Sequence, residues 1–234
     1  MKRILLILAL FVSVVINSCK AQDYIEWVGQ SYTPITNGYL YNWYAVTDSK
    51  NIAPVGWHVP TYTELGNLAT YLGGSSVAGS RLKESGTTYW NTPNTGAIND
   101  VYFNLRGSGY RSDLGAYSAL YISTRLWTTY DGGTIGFQYE SVYNDTYFQL
   151  VNRSKKYGFS VRLVADSGSP TSCIGNDGKV YETVTINGVT YTKYNIAETK
   201  YRDGTSIPEI TDNTAWSLLV TGARCVYNND ESNK

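Results

Sequence analysis

Few side chains in this 234-residue chain could do chemistry, and they are scattered. His58 is the single histidine. No Ser or Cys nucleophile motif accompanies it, so it reads as a structural residue beside a buried Trp57 rather than as a catalytic base. One histidine and three unclustered cysteines (Cys19, Cys173, Cys225) do not make a zinc site. What remains is a run of aromatic and polar residues: Tyr110, Arg111, Tyr117, Tyr121, Trp127, Tyr130, Asp131, Tyr139, Tyr143 and Tyr147. Its chemistry is contact, because Tyr and Trp bring large area at small entropic cost and stack on sugars or protein surfaces. No catalytic residue, metal or cofactor is expected.

The N-terminus reads as a secretion signal. Lys2 and Arg3 precede an apolar stretch from Ile4 to Ile16, which is too short for the roughly 20 residues that span a bilayer. Ile16-Asn17-Ser18-Cys19 looks like a lipobox, with Cys19 taking the lipid and residues 1–19 as the signal. Without Lys2 and Arg3, 17 basic residues face 19 acidic ones, a net charge of −2. So neutral a chain lacks the footprint of a nucleic-acid binder. Charged residues are 16%, whereas 22 Tyr and 6 Trp bring aromatics to 14%. That balance, with Gly, Ser, Thr and Asn, indicates an extracytoplasmic, β-rich protein. In an oxidising compartment Cys173 and Cys225 are a possible disulfide.

Residues 20–37 form a polar tether. Thr61, with Glu64 three residues on, is a capping box, and Leu65, Leu68, Ala69 and Leu72 give the helix one apolar stripe that Gly73-Gly74 ends. A second short helix is expected over Ser76 to Lys83. From Tyr102 onward strands take over: Thr134–Tyr143 and Thr146–Val151 form a hairpin across Asn144-Asp145, and Phe159, Val161 and Leu163 alternate in a half-buried closing strand. Residues 167–179 read as a linker around Asp166–Pro170. Beyond it, Thr183–Tyr194 is a hairpin turning at Asn187-Gly188, and Thr214–Leu219 a short helix. Periodicity alone gives an α+β, β-rich fold.

Five spaced motifs add to this: Gly38–Val46 (GYLYNWYAV), Gly56–Leu65 (GWHVPTYTEL), Val77–Glu84 (VAGSRLKE), Gly107–Arg111 (GSGYR) and Lys155–Val164 (KKYGFSVRLV). In this order they resemble the Fibrobacter succinogenes major paralogous domain of Bacteroidetes and Fibrobacteres proteins, and define a module over residues 38–166. The resemblance implies a C-type-lectin-like α+β fold: two short helices with a twisted, mainly antiparallel β-sheet and long loops, related to sulfatase-modifying enzymes. Residues 180–234 resemble the front part of the same module, so they either complete it in permuted order or begin a truncated second copy. Cysteines that family members often carry are replaced here by Ala53 and Leu163. The reactive cysteine pair of the sulfatase-modifying enzymes is absent from the central module. Tyr143-Asn144-Asp145 and Asn228-Asn229-Asp230 only faintly echo the calcium loops of C-type lectins, and calcium needs about six to eight oxygen ligands. Trp127 and Gly107–Arg111 fall on core and turn motifs.

In such folds the late region builds the ligand face, which assigns contact roles to Tyr130, Asp131, Tyr139, Tyr143, Asn144, Asp145 and Tyr147. The expectation is an outer-membrane lipoprotein, facing the periplasm or the surface, held to the membrane by its lipid alone. It acts as a non-catalytic binding or adhesion module for a glycan or a protein surface. A divergent sulfatase-modifying-type enzyme and a purely structural envelope protein are the alternatives.

Overall fold

The capping box at Thr61 forms as its residues dictate. In the computed structural model, which describes residues 37–168 and 172–234, the Thr61 hydroxyl accepts from the Glu64 N–H and the Glu64 carboxylate accepts from the Thr61 N–H. Cys19, the signal segment and residues 20–36 lie outside the described residues. The α-helices among the described residues are α1 (Trp43–Val46), α2 (Tyr62–Tyr71), α3 (Ser75–Leu82) and α4 (Asn213–Ser217). Leu65, Leu68 and Ala69 put the stripe of α2 in the core.

The fold is mixed α+β, with few helices and several antiparallel sheets. β3 (Ser108–Arg111) and β4 (Tyr117–Leu120) pair with each other. β5 (Ser123–Asp131), β6 (Ile135–Val142) and β7 (Gln149–Ser154) make a three-stranded sheet in that order. The expected hairpin is therefore β6–β7, but Glu140 pairs with Gln149, so the connection is a loop over 143–148 rather than a two-residue turn. The stretch from Phe159 to Leu163 is not a half-buried strand. It makes single bridges to Tyr41 and Leu126, and Ser160 and Arg162 are buried along with Phe159, Val161 and Leu163. Arg162 spends its guanidinium on Phe103, Asn104 and Thr192 carbonyls and on Asn195 Oδ1, which is why a charged residue can sit there.

The described residues belong to one compact unit. Within it the late segment shares sheets with the earlier one. β11 (Thr183–Ile186) and β12 (Val189–Thr192) turn through Asn187 and Gly188, whose φ values of 50° and 77° suit a type I′ turn. β12 pairs with β8 (Val164–Ala165), which pairs with β2 (Trp57–His58), while β13 (Arg224–Cys225) pairs with β1 (Leu40–Tyr41). Trp216 of α4 is buried, donates its indole N–H to the Lys156 carbonyl at 2.8 Å and faces the Arg111 guanidinium.

The stretch 172–179 is not a spacer. β9 (Cys173–Ile174) pairs with β10 (Val180–Tyr181), and Asn176 donates to the Ile52 carbonyl at 2.8 Å. Nor do the cysteines pair. Cys173 packs with Tyr181 and Ile196, whereas Cys225 packs with Leu40 and Trp216 in a different cluster, and both are free, buried thiols. Burial pushes Cys173 up to about 12 and Cys225 up to about 11.

Under this segment lies a buried acid. Glu198 accepts from the Tyr181 hydroxyl at 2.6 Å and from the Asn176 N–H at 2.7 Å. Burial first, then the nearby Asp177 carboxylate, raise it to about 7. Asp177 itself is held below its ordinary value: burial opposes this, but its ion pair with Lys179 and its bonds from Thr199 outweigh it.

Two outcomes follow. Trp216→Ala should cost about 3–5 kcal/mol. The whole protein should melt earlier in one transition, because the segment carrying Trp216 shares sheets with the rest. Two transitions by circular dichroism, only one of them shifted, would contradict this. Glu198, raised in the folded state, contributes stability that is full below the ordinary carboxylate range and lost as pH rises through about 7. Each tenfold difference in proton affinity between the folded and unfolded chain is worth about 1.4 kcal/mol. Denaturant unfolding should therefore show stability falling by up to about 3 kcal/mol between about pH 4.5 and 8. Glu198→Gln can direct its oxygen to the Asn176 N–H and its NH2 to the Tyr181 hydroxyl. It should flatten that slope and be the more stable protein at pH 8; an unchanged slope would refute the assignment.

Candidate functional site

Of the seven residues expected on one ligand face, the structure leaves only part together. β6 is eight residues long, about 25 Å at 3.3 Å per residue, and the seven divide between its two ends and its middle. Tyr130 and Asp131 lie at the β5–β6 turn, and Tyr143, Asn144, Asp145 and Tyr147 lie in the loop after β6. Tyr139, between them, is only 6% exposed. Its ring stacks on Phe148 at 4.7 Å and its hydroxyl donates to the Tyr62 carbonyl, because α2 lies across this face of the sheet. It is a core residue, not a contact.

The loop end is built for order. Lys83, at the end of α3, is fully buried and donates to the carbonyls of Thr95, Val142 and Asp145 at 3.0, 3.1 and 2.7 Å. Burial, partly offset by the Asp145 charge, lowers its ammonium to about 8. Gly79 lies so close that a Cβ there would come within 2.2 Å of the Tyr147 carbonyl. Asp145 closes an Asx turn on the Tyr147 N–H at 3.0 Å, and Tyr143 packs on the core. Asn144 and the 47%-exposed Tyr147 face solvent. Asn228-Asn229-Asp230 is likewise a turn: Asn228 and Asn229 have positive φ, Asn229 accepts from the Tyr117 hydroxyl, and Asp230 accepts from Ser232. Among the described residues, no group of three or more His, Cys, Asp or Glu side chains is placed to hold a metal.

The other end of the sheet gathers aromatics that sequence spacing separates. Tyr62, the first residue of α2, is 41% exposed, and Tyr130 is 46% exposed. Their rings meet edge to face at 4.7 Å, and Tyr130 meets the half-buried Phe137 in the same way at 4.9 Å. This platform contains one expected residue, Tyr130, and two that spacing did not reveal. Asp131 is tied away in an ion pair with Lys155 at 2.7 Å, whose ammonium lies 4.1 Å from the Trp43 ring centroid.

Trp127 is core, as expected, whereas Arg111, expected on a turn, lies buried at the end of β3. The Trp127 indole donates to the Tyr41 carbonyl at 2.7 Å, and the buried Arg111 donates to the carbonyls of Gly115, Ile210 and Thr211 and to Asn213 Oδ1. Tyr110 packs between Phe159 and the Arg125 guanidinium, and Tyr121 supplies backbone bonds to Asn91 and Gly107.

His58 has partners that the sequence did not reveal. Nδ1 lies 2.6 Å from Asp166 and Nε2 2.8 Å from Glu64. Only in the imidazolium can both nitrogens donate to these carboxylates, so the pair favours the protonated ring. The Glu64 hydrogen bond chiefly raises its pKa against the opposing effect of burial. Burial pushes Glu64 up, but its bonds from His58 and Thr61 outweigh this and hold it at about 2. Beside it, Glu64, Asn67, Leu68, Tyr71, Ile186, Asn187, Val189 and Tyr191 line a cleft of about 90 Å³. Small-molecule pockets run to roughly 300–1,000 Å³.

The chain matches no curated protein and no solved structure. Residues 17–165 match the model of the Fibrobacter succinogenes major domain, a span that takes in all five motifs. With more than half of its length matched, the chain belongs to the Fibrobacter succinogenes major domain family.

Proposed function

We propose that this protein is a lipid-anchored, non-catalytic binding module of the cell envelope, with a C-type-lectin-like fold, that meets a glycan or a protein surface through Tyr62, Tyr130 and Phe137. The platform carries this reading. Its two exposed tyrosine rings are held by edge-to-face contacts, so little rotamer freedom is lost on binding. His58 is clamped between two carboxylates that favour its protonated form and occupy both ring nitrogens, which disfavours a role as a base. Residues 180–234 complete the module in permuted order, a reading supported by the β12–β8 and β13–β1 pairings. Cys19 carries the lipid and fixes the protein to the outer membrane.

Binding to immobilised envelope glycans and envelope proteins is the direct measurement. Tyr62→Ala and Tyr130→Ala should each weaken it about 30-fold, near 2 kcal/mol for a central aromatic, with melting temperatures close to the parent. Tyr139→Ala, which empties a core site, should instead cost about 3–5 kcal/mol of stability. Full-strength binding by both platform variants, or no binding by the parent to either class, would refute the proposal. For the anchor, Cys19→Ala should move the protein from the membrane to the soluble fraction; unchanged fractionation would refute lipidation.

A further inference from the structure

β7 closes its sheet on one side, and nothing described covers its outer edge. Gln149, Val151 and Arg153 face Glu140, Gln138 and Gly136 of β6. The Phe137 carbonyl accepts from the Thr128 hydroxyl of β5 at 2.8 Å, so Phe137 directs its backbone groups away from β7. Its partner Asn152, and Leu150 two residues earlier, therefore direct their N–H and C=O groups outward. The Asn152 carbonyl receives only the guanidinium of its neighbour Arg153, at 2.8 Å. Among the described residues, no backbone hydrogen bond outside the β6 ladder ends on residues 149–153. The flanks are used: the Phe148 N–H donates to the Ser75 carbonyl and the Ser154 carbonyl accepts from the Tyr157 N–H. β7 has no proline, no bulge interrupts its pairing with β6, and its one charged residue is Arg153, so the edge is lightly protected.

We infer that β7 pairs antiparallel with β7 of a second copy, about a two-fold axis at Val151. Centring the pair there sets Leu150 opposite the partner's Asn152 on both sides of the axis. Four backbone hydrogen bonds then use every free outward group. A shift by two residues either way would call on Phe148 or Ser154, whose groups are already bonded. The side chains agree with this register. Gln149 faces the partner's Arg153, an amide oxygen against a guanidinium, with no like charges opposed. Leu150, 40% exposed, gains cover. The contact is self-complementary, as a two-fold interface must be. Because directly opposed residues share a side, the two Tyr62–Tyr130–Phe137 platforms lie on the same side of the joined sheet. The pairing itself does not depend on what those platforms bind.

The register makes the test specific. Val151 and the partner's Val151 form a non-hydrogen-bonded pair with Cα atoms about 4.5 Å apart, within disulfide range. The full chain carrying Val151→Cys, oxidised in its own membranes, should run as a covalent dimer. Gln149→Cys, opposite Arg153, should give at least tenfold less. Adding Asn152→Pro to Val151→Cys removes an outward N–H while sparing the β6 ladder, and should abolish the link without changing the melting temperature. Independently, the unaltered chain should sediment in detergent at twice the monomer mass. A monomer at all concentrations, equal linking at both positions, or a link that survives Asn152→Pro would overturn the inference.

Discussion

The fold turns on guanidinium groups taken wholly out of water and satisfied by backbone carbonyls. Arg162 has no carboxylate partner among its hydrogen bonds. It bonds to carbonyls at 103, 104 and 192 and to the Asn195 amide, and burial lowers it only to about 9, so it stays charged at neutral pH. Removing any of these acceptors would leave a buried donor unmet, which costs more than the bond contributes. Arg111 repeats the device at 115, 210, 211 and 213, and Lys83 repeats it at 95, 142 and 145. Between them these three cations fix the loops that the short strands cannot, and two of them hold the late segment to the earlier one.

This is also what the family motifs accomplish. Lys83 and Gly79 lie in VAGSRLKE, Arg111 in GSGYR and Arg162 in KKYGFSVRLV. The three cations are spent mainly on backbone carbonyls inside the fold, and His58 of GWHVPTYTEL is spent on Glu64 and Asp166. In this chain the motifs thus close loops, and they leave positions such as Tyr130, Phe137 and Leu150 outside them.

Local signals in the sequence were legible where one physical rule decided the outcome. The capping box, the apolar stripe of α2 and the Asn-Gly turn all appear where spacing placed them. Alternation was a poorer guide, because period two says which residues share a face but not what covers it. Phe137 and Tyr139 share a face of β6, yet α2 covers the second and leaves the first half open. Likewise Arg162 looked solvent-facing because sequence does not display the four acceptors that let it be buried. The cysteine pairing failed for the same reason: compartment and count say that a bridge is possible, whereas the fold puts the two thiols in separate clusters.

The same distinction explains why the exposed aromatic cluster differs from the expected face. Residues 130–147 are near in sequence, but an extended strand carries its ends apart by its own length, so proximity along β6 works against a shared site. The platform instead joins Tyr62 to Tyr130 across 68 positions, brought together because the capped start of α2 sits over the end of β5. The rigidity of that contact comes from the capping box, whose Glu64 also holds His58. The aromatic surface and the charged clamp are thus two outputs of one helix N-terminus. A change at Glu64 would therefore act on the platform through the position of Tyr62, without touching any ring.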